Sequence, residues 1–405
     1  MVPESSQEGA LRPPHHILDR NRVHRLAAEH LQQHLQFQDS KTKTSAQILW
    51  SLVLAAAARI TSLSDACQRL RDAPSDETAR QALLATLPDS ATLQQPLNAA
   101  LAGHLPKVLR KRLQRLAIDL TLIPYHGQPF RDLQEIDRGQ AKDGTSHFHA
   151  YATASVVRHG QRSTVALTGV RKGEPLKDVI PCLLHQAARI GVRPWLLLLD
   201  RGFSRVAVVR YLQAARYPFL MPVVGHGRSP QQPGGPTGSS VFRTWKKSGW
   251  SLSTLTAAKQ RTATVPICVK CRNWRGQGKR HGRQVLIDAF WRYRPPSPDS
   301  VFSTYRLRFG IESSYRQMHE GRIRTSTRRP VLRLLYVGIA LVLRNLWVWL
   351  HYTILSRPRR GGRVILLERL RWETLLLWLL HVVEETFGVV DVTYTERDVE
   401  YELAM

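Results

Sequence analysis

Acidic residues and cysteines are both scarce in this sequence. Its 405 residues include 31 Asp and Glu against 59 Lys and Arg, so the formal net charge is +28 at pH 7. An excess of positive charge this large indicates a polyanionic partner, most simply nucleic acid. Four cysteines are too few for a disulfide scaffold, which is typical of a reducing compartment. We therefore expect a cytoplasmic protein that binds nucleic acid.

The start of the sequence has no pattern of a secretory signal, and the chain has a single long apolar run. Residues 1–8 carry acids, and the stretch that follows is rich in His and Arg. The apolar run, Leu334–Leu355, is long enough to span a bilayer, but Arg344 lies in its middle and arginines flank both ends. We interpret it as a buried helix and expect no membrane association. A membrane protein is the alternative.

The first part of the chain has the pattern of helices. Ala46–Ile60 and Leu63–Arg71 are apolar-periodic runs separated by Thr61 and Ser62, which can cap the second run. Two short helices joined by a tight turn can read DNA, but they can equally form a bundle that only packs. The pattern predicts an N-terminal helical domain over residues 1–110, with DNA binding as its expected role.

The middle of the chain alternates between strand and helix patterns. Three strands are expected first, over Arg115–Tyr125, Phe148–Val157 and Ser163–Val170. A helix, a strand, a second helix and a fifth strand are expected next, over Glu174–Ile190, Trp195–Leu199, Ser204–Ala215 and Phe219–Val224. This order predicts an α/β fold with a mixed five-stranded sheet flanked by helices.

A basic insertion interrupts this pattern. Residues 225–298 contain 14 Lys and Arg but one acid, Asp288. Aromatic, Thr and Val residues over Val241–Trp274 and Gln284–Tyr293 indicate strands. So concentrated a charge predicts contact with a phosphate backbone, with a solvated charged face as the alternative. The expected contacts are Lys246, Lys247, Arg272, Arg275, Lys279 and Arg280.

Three carboxylates stand out by position. Asp119 lies inside an apolar strand, Asp200 ends a central strand, and Glu312 lies in a predicted helix among arginines. A carboxylate between Ile and Leu is costly to bury unless it is paired or binds a metal. Carboxylates that converge at strand ends suit Mg²⁺, and two such ions can assist phosphoryl transfer. For Asp119 alone, the alternative is a paired structural acid.

The segment around Glu312 predicts a polar helix face. Val301–Glu320 has helical periodicity. One stripe of this helix would carry Tyr305, Arg308, Glu312, Arg316 and His319. Arg308, four residues before Glu312, can orient the carboxylate or clamp a phosphate. Arg322 and Arg324 continue the basic track and are further expected DNA contacts.

Together these segments resemble the DDE transposases of bacterial insertion sequences. Tyr305-x2-Arg308-x3-Glu312-x6-His319 is similar to the Tyr-x2-Arg-x3-Glu-x6-Lys signature of that family, with His where the family has Lys. The strand around Asp119 and the turn Leu199-Asp200-Arg201-Gly202-Phe203 resemble its two aspartate motifs. The order Asp, Asp, Glu and the place of the insertion also match. The resemblance covers roughly residues 110–355.

The resemblance implies a ribonuclease H-like catalytic core and cut-and-paste movement of DNA. Asp119, Asp200 and Glu312 would bind two Mg²⁺ ions, for which Mn²⁺ can substitute, while water and then a DNA 3′-hydroxyl attack a phosphodiester. Tyr305 and Arg308 would contact the cleaved DNA end. The partners would be double-stranded DNA, as terminal inverted repeats and target DNA, and a second copy of the chain in a homodimer. Related enzymes stack an extruded base on an insertion tryptophan, and the candidates here are Trp245, Trp250, Trp274 and Trp291.

Two other functions fit the same residues: a ribonuclease H-like nuclease that cuts without strand transfer, and a decayed transposase that only binds DNA. The pairs Cys268/Cys271 and His147/His149 could each contribute to a metal site, but we interpret them as ordinary strand residues. We predict four regions. They are the N-terminal domain (1–110), a split catalytic domain (111–224 and 299–357), the insertion (225–298) and a C-terminal helical region with an expected role in oligomerisation (358–405).

Overall fold

The computed structural model describes residues 18–37, 44–129, 132–158, 161–257, 261–275, 282–360 and 362–390. Within these ranges the chain begins with α1 (Arg20–His34), α2 (Ala46–Arg59), α3 (Leu63–Arg69), α4 (Asp76–Thr86) and α5 (Ser90–Gly103). Each helix starts after an Asp or Ser whose side chain accepts a hydrogen bond from a backbone N–H of the first turn. The predicted helical character of this region is confirmed, while its DNA-binding role stays a prediction.

The first five helices pack against two helices from the end of the chain, α11 (Pro330–Leu350) and α12 (Trp372–Phe387), around one apolar core. Gly338 lets α11 approach α5, because a Cβ there would collide with Leu97. The segment Pro330–Leu355 is long and apolar enough to cross a membrane, yet 89% of its apolar window is buried in the protein. Arg344 is satisfied inside this core, since its guanidinium donates to the Arg162 carbonyl at 2.9 Å.

A short helix, α6 (Val108–Lys111), leads into a mixed sheet. Among the described residues its strands are β1 (Gln114–Pro124), β2 (Asp137–Lys142), β3 (Thr145–Arg158), β4 (Gln161–Val170), β5 (Pro194–Leu199), β6 (Phe219–Pro222), β7 (Gly249–Thr256), β8 (Thr262–Trp274) and β9 (Gly282–Trp291). The flanking helices are α7 (Leu176–Arg189), α8 (Val206–Ala214), α9 (Pro298–Arg306) and α10 (Gly310–Glu320). A small hairpin, β10 (Arg357–Arg359) with β11 (Gly362–Val364), follows α11.

The strand order is β2-β3-β1-β5-β6-β9-β8-β7, with β4 also paired to β3. β1, β5 and β6 are parallel to one another, and β3 and β9 run antiparallel on either side. The predicted mixed α/β sheet is therefore confirmed. The sheet is wider than the five strands predicted, because β2 joins one end and the insertion strands continue the same sheet through β9. One boundary of the prediction differs: the helix expected over Ser204–Ala215 begins after Arg205, as α8.

The free edge of β4 is covered by two asparagines. Asn98 of α5 exchanges two hydrogen bonds of 2.8 Å with the backbone of Leu167. Asn345 of α11 does the same with Thr164, at 3.0 and 2.7 Å. Each amide side chain thus replaces the backbone of a missing neighbouring strand, which satisfies the buried polar groups of this edge. These contacts fix the helical core against the sheet that carries the candidate site.

Candidate active site

The parallel neighbours β1 and β5 bring two aspartates together. In these parallel neighbours Ile118 pairs with Leu199, so the next residue of each chain segment, Asp119 and Asp200, lies at the same level. Side chains alternate along a strand. Ile118 packs with α7 and α8, and Asp119 therefore points to the opposite face, where α9 and α10 lie. Asp119 is 8% exposed, whereas the Asp200 side chain at the strand end is 42% exposed.

The third acid comes from a helix that is broken next to it. A continuous helix was expected over Val301–Glu320, but the structure has a 3-10 turn at Leu307–Phe309 between α9 and α10. This turn buries Arg308, which is 4% exposed, and leaves Phe309 exposed. Glu312 follows in the first turn of α10. The predicted polar stripe is therefore divided, with Arg308 directed inward beneath the aspartates.

Arg308 contacts all three carboxylates. Its Nη2 lies 2.8 Å from Asp200 Oδ1 and 3.1 Å from Asp119 Oδ2, and its Nη1 lies 3.5 Å from Glu312 Oε1. Its Nε is buried and has no hydrogen-bond partner. Three negative groups thus surround one positive group in a largely buried position. The arrangement neutralises only part of the acidic charge, because one arginine faces three acids.

Hydrogen bonds to strand β1 hold Asp119 in place. The Tyr315 hydroxyl donates to the Asp119 carbonyl oxygen at 3.1 Å and lies 2.7 Å from Thr153 Oγ1. The backbone N–H of Leu120 donates to Asp119 Oδ1 at 2.9 Å. Burial raises the pKa of Asp119 to about 6, because lost hydration outweighs the opposing effect of Arg308. Asp119 is consequently the least hydrated acid of the three.

The donor atoms at this position are of the type that divalent cations prefer. Carboxylates from the middle of β1, the end of β5 and the first turn of α10 converge on the Arg308 guanidinium, which marks a position where positive charge is stabilised. Carboxylate oxygens are the ligands that Mg²⁺ prefers. Within the described ranges, however, no group of three His, Cys, Asp or Glu side chains is close enough to share one ion. The Arg308 guanidinium lies between the acids at this point.

The other expected DNA contacts of this segment differ in burial and charge. Tyr305 is half-buried and burial raises its pKa, so it keeps its proton. Arg316 is exposed on α10. Burial lowers the pKa of His319 to about 4, with a further lowering by nearby Arg322, so His319 is neutral at pH 7. Arg322 is half-buried and Arg324 is exposed.

The basic residues of the insertion lie mostly on its surface. Lys246, Lys247 and Arg275 are exposed, and the Arg272 guanidinium stacks over the Phe302 ring at 4.4 Å. Lys279 and Arg280 lie outside the described residues, as does the side chain of Trp274. The three other tryptophan candidates differ in exposure: Trp250 is 44% exposed, and Trp245 and Trp291 are half-buried. The choice among the tryptophans stays open.

A cavity of about 780 Å³ adjoins the acids between β9 and α9. Tyr305 and Arg201, the residue after Asp200, both line it, together with three further arginines. Asp288 of β9 also lines the cavity and is 5% exposed. Burial raises its pKa to about 7. The sequence prediction gave Asp288 no role, although its isolation among 14 basic residues was a signal that the acid is unusual.

The two residue pairs that could have contributed to metal sites lie in strands. Cys268 packs into the core on the face of α9, whereas Cys271 packs on the opposite face of the sheet, as expected for residues three apart in a strand. His149 is buried, and its Nε2 has no hydrogen-bond partner. Burial lowers the pKa of His149 to about 3, and Arg333 lowers it further. Neither pair converges with the three carboxylates.

Comparison with known families matches the region that carries this site. A family model described as the transposase DDE domain matches residues 110–346, which is more than half of the chain. A search of curated proteins finds no match. The matched region begins just before β1, ends within α11, and includes all three acids.

Proposed function

The chain belongs to the family of transposases with a DDE domain, and from that premise we propose that it cleaves DNA at the ends of its own mobile element and joins those ends to a new site. The observation that supports this most directly is the convergence of Asp119, Asp200 and Glu312 on one buried position. Carboxylates gathered at the carboxyl ends of parallel strands are suited to phosphoryl transfer with divalent ions.

Asp119, Asp200 and Glu312 would hold the divalent ions that this family generally uses. Mg²⁺ suits these oxygen ligands, and Mn²⁺ can take the same ligands. When bound, the ions would supply Lewis-acid stabilisation of the charge that develops on the phosphate. The hydrogen bonds from Tyr315 and Leu120 hold Asp119 rigidly, so this acid would serve as the fixed ligand. Asp200 and Glu312 are more exposed and face the side from which DNA would approach.

Arg308 and Tyr305 would bind the DNA end. A guanidinium can form a bidentate pair with a phosphate, and the protonated Tyr305 can donate its O–H. His319 would act differently from the lysine of the family signature, because a neutral imidazole offers one N–H donor and no charge. Arg322 lies close enough to lower the pKa of His319. We infer that Arg322 supplies the positive charge at this point.

The basic surface would hold the rest of the DNA. A net charge of +28 favours phosphate contacts, which fix the position of the duplex without reading its sequence. Lys246, Lys247, Arg275, Arg316 and Arg324 are exposed and would contribute such contacts. We further propose that two copies of the chain act together on paired terminal repeats, with the exposed side of α12 in their interface.

A cleavage and joining assay tests this function. Purified protein would be mixed with Mg²⁺ and a plasmid that carries its gene with the flanking DNA, beside the variants Asp200→Ala and Asp178→Ala. Asp178 is an exposed acid of α7 and serves as the matched control. We expect cleaved and joined products from the parent and the control, and a loss of more than about a thousandfold in Asp200→Ala. DNA binding should persist in all three.

The assay also separates the alternatives. Cleaved DNA without joined products would favour a nuclease, and binding without cleavage by the parent would favour a decayed transposase. Equal activity of Asp200→Ala and the parent would refute the proposed role of the three carboxylates.

A further inference from the structure

We propose that Arg308 is an internal cation that closes the carboxylate site to metal ions until a DNA phosphate takes over its guanidinium. This inference rests on the proposed function and concerns the regulation of the same site. DNA and metal would then bind cooperatively, and the protein without DNA would be protected from metal-dependent side reactions.

Arg308 bonds to the carboxylates that a metal ion would need. A single nitrogen, Nη2, bonds to both Asp119 at 3.1 Å and Asp200 at 2.8 Å. These are the same carboxylates that would ligate an ion. Two cations that compete for the same few oxygen atoms repel each other. The ion and the guanidinium therefore exclude each other at full occupancy.

Arg308 also has one nitrogen that could donate a hydrogen bond to a phosphate. Its Nε is buried without a partner, although a buried polar group normally has one. Carboxylates engage only the two Nη atoms. A phosphate bound in the bidentate manner could engage Nε together with one Nη. Exchange of the carboxylates for a phosphate would thus satisfy a donor that the protein alone leaves unpaired.

The surroundings allow this exchange. Arg308 lies in the 3-10 turn between α9 and α10. The side chains of Asp200 and Glu312 are 42% and 59% exposed, so the cluster is open to solvent on that side. We infer that a DNA backbone approaches the guanidinium from that side.

Linkage makes the consequence measurable. If DNA frees the carboxylates for a metal ion, the ion must favour DNA binding by the same factor. Coupling of this kind is typically on the order of tenfold to a hundredfold. Removal of the Arg308 charge should abolish the coupling, because the carboxylates then need no release. The same change should raise metal affinity in the absence of DNA.

The test is Mn²⁺ binding, followed by the magnetic resonance signal of free Mn²⁺. Parent, Arg308→Gln, Arg308→Lys and Arg210→Gln would each be titrated without DNA and with a duplex from the DNA that flanks the gene. Arg210 is an exposed arginine of α8 and controls for the loss of one charge. Asp119→Asn identifies the signal that belongs to this site.

We expect Arg308→Gln to bind Mn²⁺ about tenfold more tightly than the parent without DNA, and DNA to raise the affinity of the parent but not of this variant. Arg308→Lys should fall between them, and Arg210→Gln should match the parent. Weaker Mn²⁺ binding by Arg308→Gln, with no effect of DNA on the parent, would overturn the proposal. So would the absence of any Mn²⁺ signal that depends on Asp119.

If Arg308→Gln fails to fold, Arg308→Lys still tests the proposal, because it keeps the positive charge and loses the guanidinium that bridges the carboxylates. The test is also independent of the proposed function. A parent that cleaves and joins DNA but shows no coupling would remove only the role of Arg308. Coupled Mn²⁺ and DNA binding without any cleavage would instead remove the proposed reaction and leave Arg308 as the internal cation.

Discussion

Replacement of Asp288 by Asn should stabilise the protein at alkaline pH, because Asp288 is a buried acid whose charge is poorly compensated. Its side chain lines the cavity beside the active site and is 5% exposed. Among the described residues none forms a hydrogen bond or ion pair with it. Burial raises its pKa from 3.8 to about 7. Folding therefore favours the protonated acid, and ionisation opposes folding.

The sign and size of the effect follow from linkage. A group whose pKa is raised by folding contributes stability that is present below its unfolded pKa and is lost as the pH rises through its folded pKa. For Asp288 this window runs from 3.8 to about 7. Between about pH 5 and about pH 8 the parent should lose about 3 kcal/mol of unfolding free energy relative to Asp288→Asn. Above the window the difference should stay constant.

Urea unfolding of both proteins at a series of pH values measures this difference. Asp178→Asn, at an exposed acid of α7, provides the control and should follow the parent. Parallel stability curves for the parent and Asp288→Asn would refute the reasoning. They would mean that the folded cavity solvates the Asp288 carboxylate as well as water does, for example through the arginines that line it.

Two further predictions follow from the buried histidines and the basic insertion. Burial lowers the pKa of His149 from 6.5 to about 3, so its contribution to stability is present above pH 6.5 and is lost as the pH falls toward 3. Between about pH 7 and about pH 5, His149→Leu should therefore lose about 2 kcal/mol less unfolding free energy than the parent. Equal losses of the two proteins in urea unfolding would contradict this. In the insertion, the triple change of Lys246, Lys247 and Arg275 to Gln should reduce the slope of log affinity against log salt by about 2 to 3, because fewer counterions are released from DNA. An unchanged slope in binding titrations would show that these exposed residues do not contact phosphate.

Substitutions are the better test of the insertion because of how its strands are placed. The basic composition of residues 225–298 predicted an insertion that is separate from the central sheet. In the structure β9 pairs with β6 of the central sheet, with Leu220 opposite Phe290. Deletion of the insertion would expose the hydrogen-bonding edge of β6 and damage the sheet beside Asp200. Which strand edge a distant segment joins depends on long-range pairing, and the local sequence pattern contains no information about it.

Local sequence patterns were enough to predict the position of a residue when that position depends on a single strand or turn. Alternation along β1 puts Asp119 on the face opposite Ile118. The end of the apolar run in β5 puts Asp200 at the carboxyl end of that strand. Both positions follow from the period of a strand and from the meeting of parallel strands at one end. The asparagines at β4 show the opposite case. Nothing near Asn98 or Asn345 in the sequence indicates that their side chains form the hydrogen bonds that a neighbouring strand would form with β4.

The helix segment that carries Arg308 and Glu312 shows why the candidate site could be predicted only in part. Its helical periodicity was visible in the sequence, and Ile311 and Met318 are fully buried on one side. The same periodicity predicted that Arg308 and Arg316 share one polar face. The 3-10 turn separates them, so that Arg308 is 4% exposed while Arg316 remains on the surface. The burial of Arg308 depends on acids from other elements, and those acids are on β1 and after β5. The position of Arg308 is therefore a property of the assembled sheet and helix, and the signature alone could not predict it.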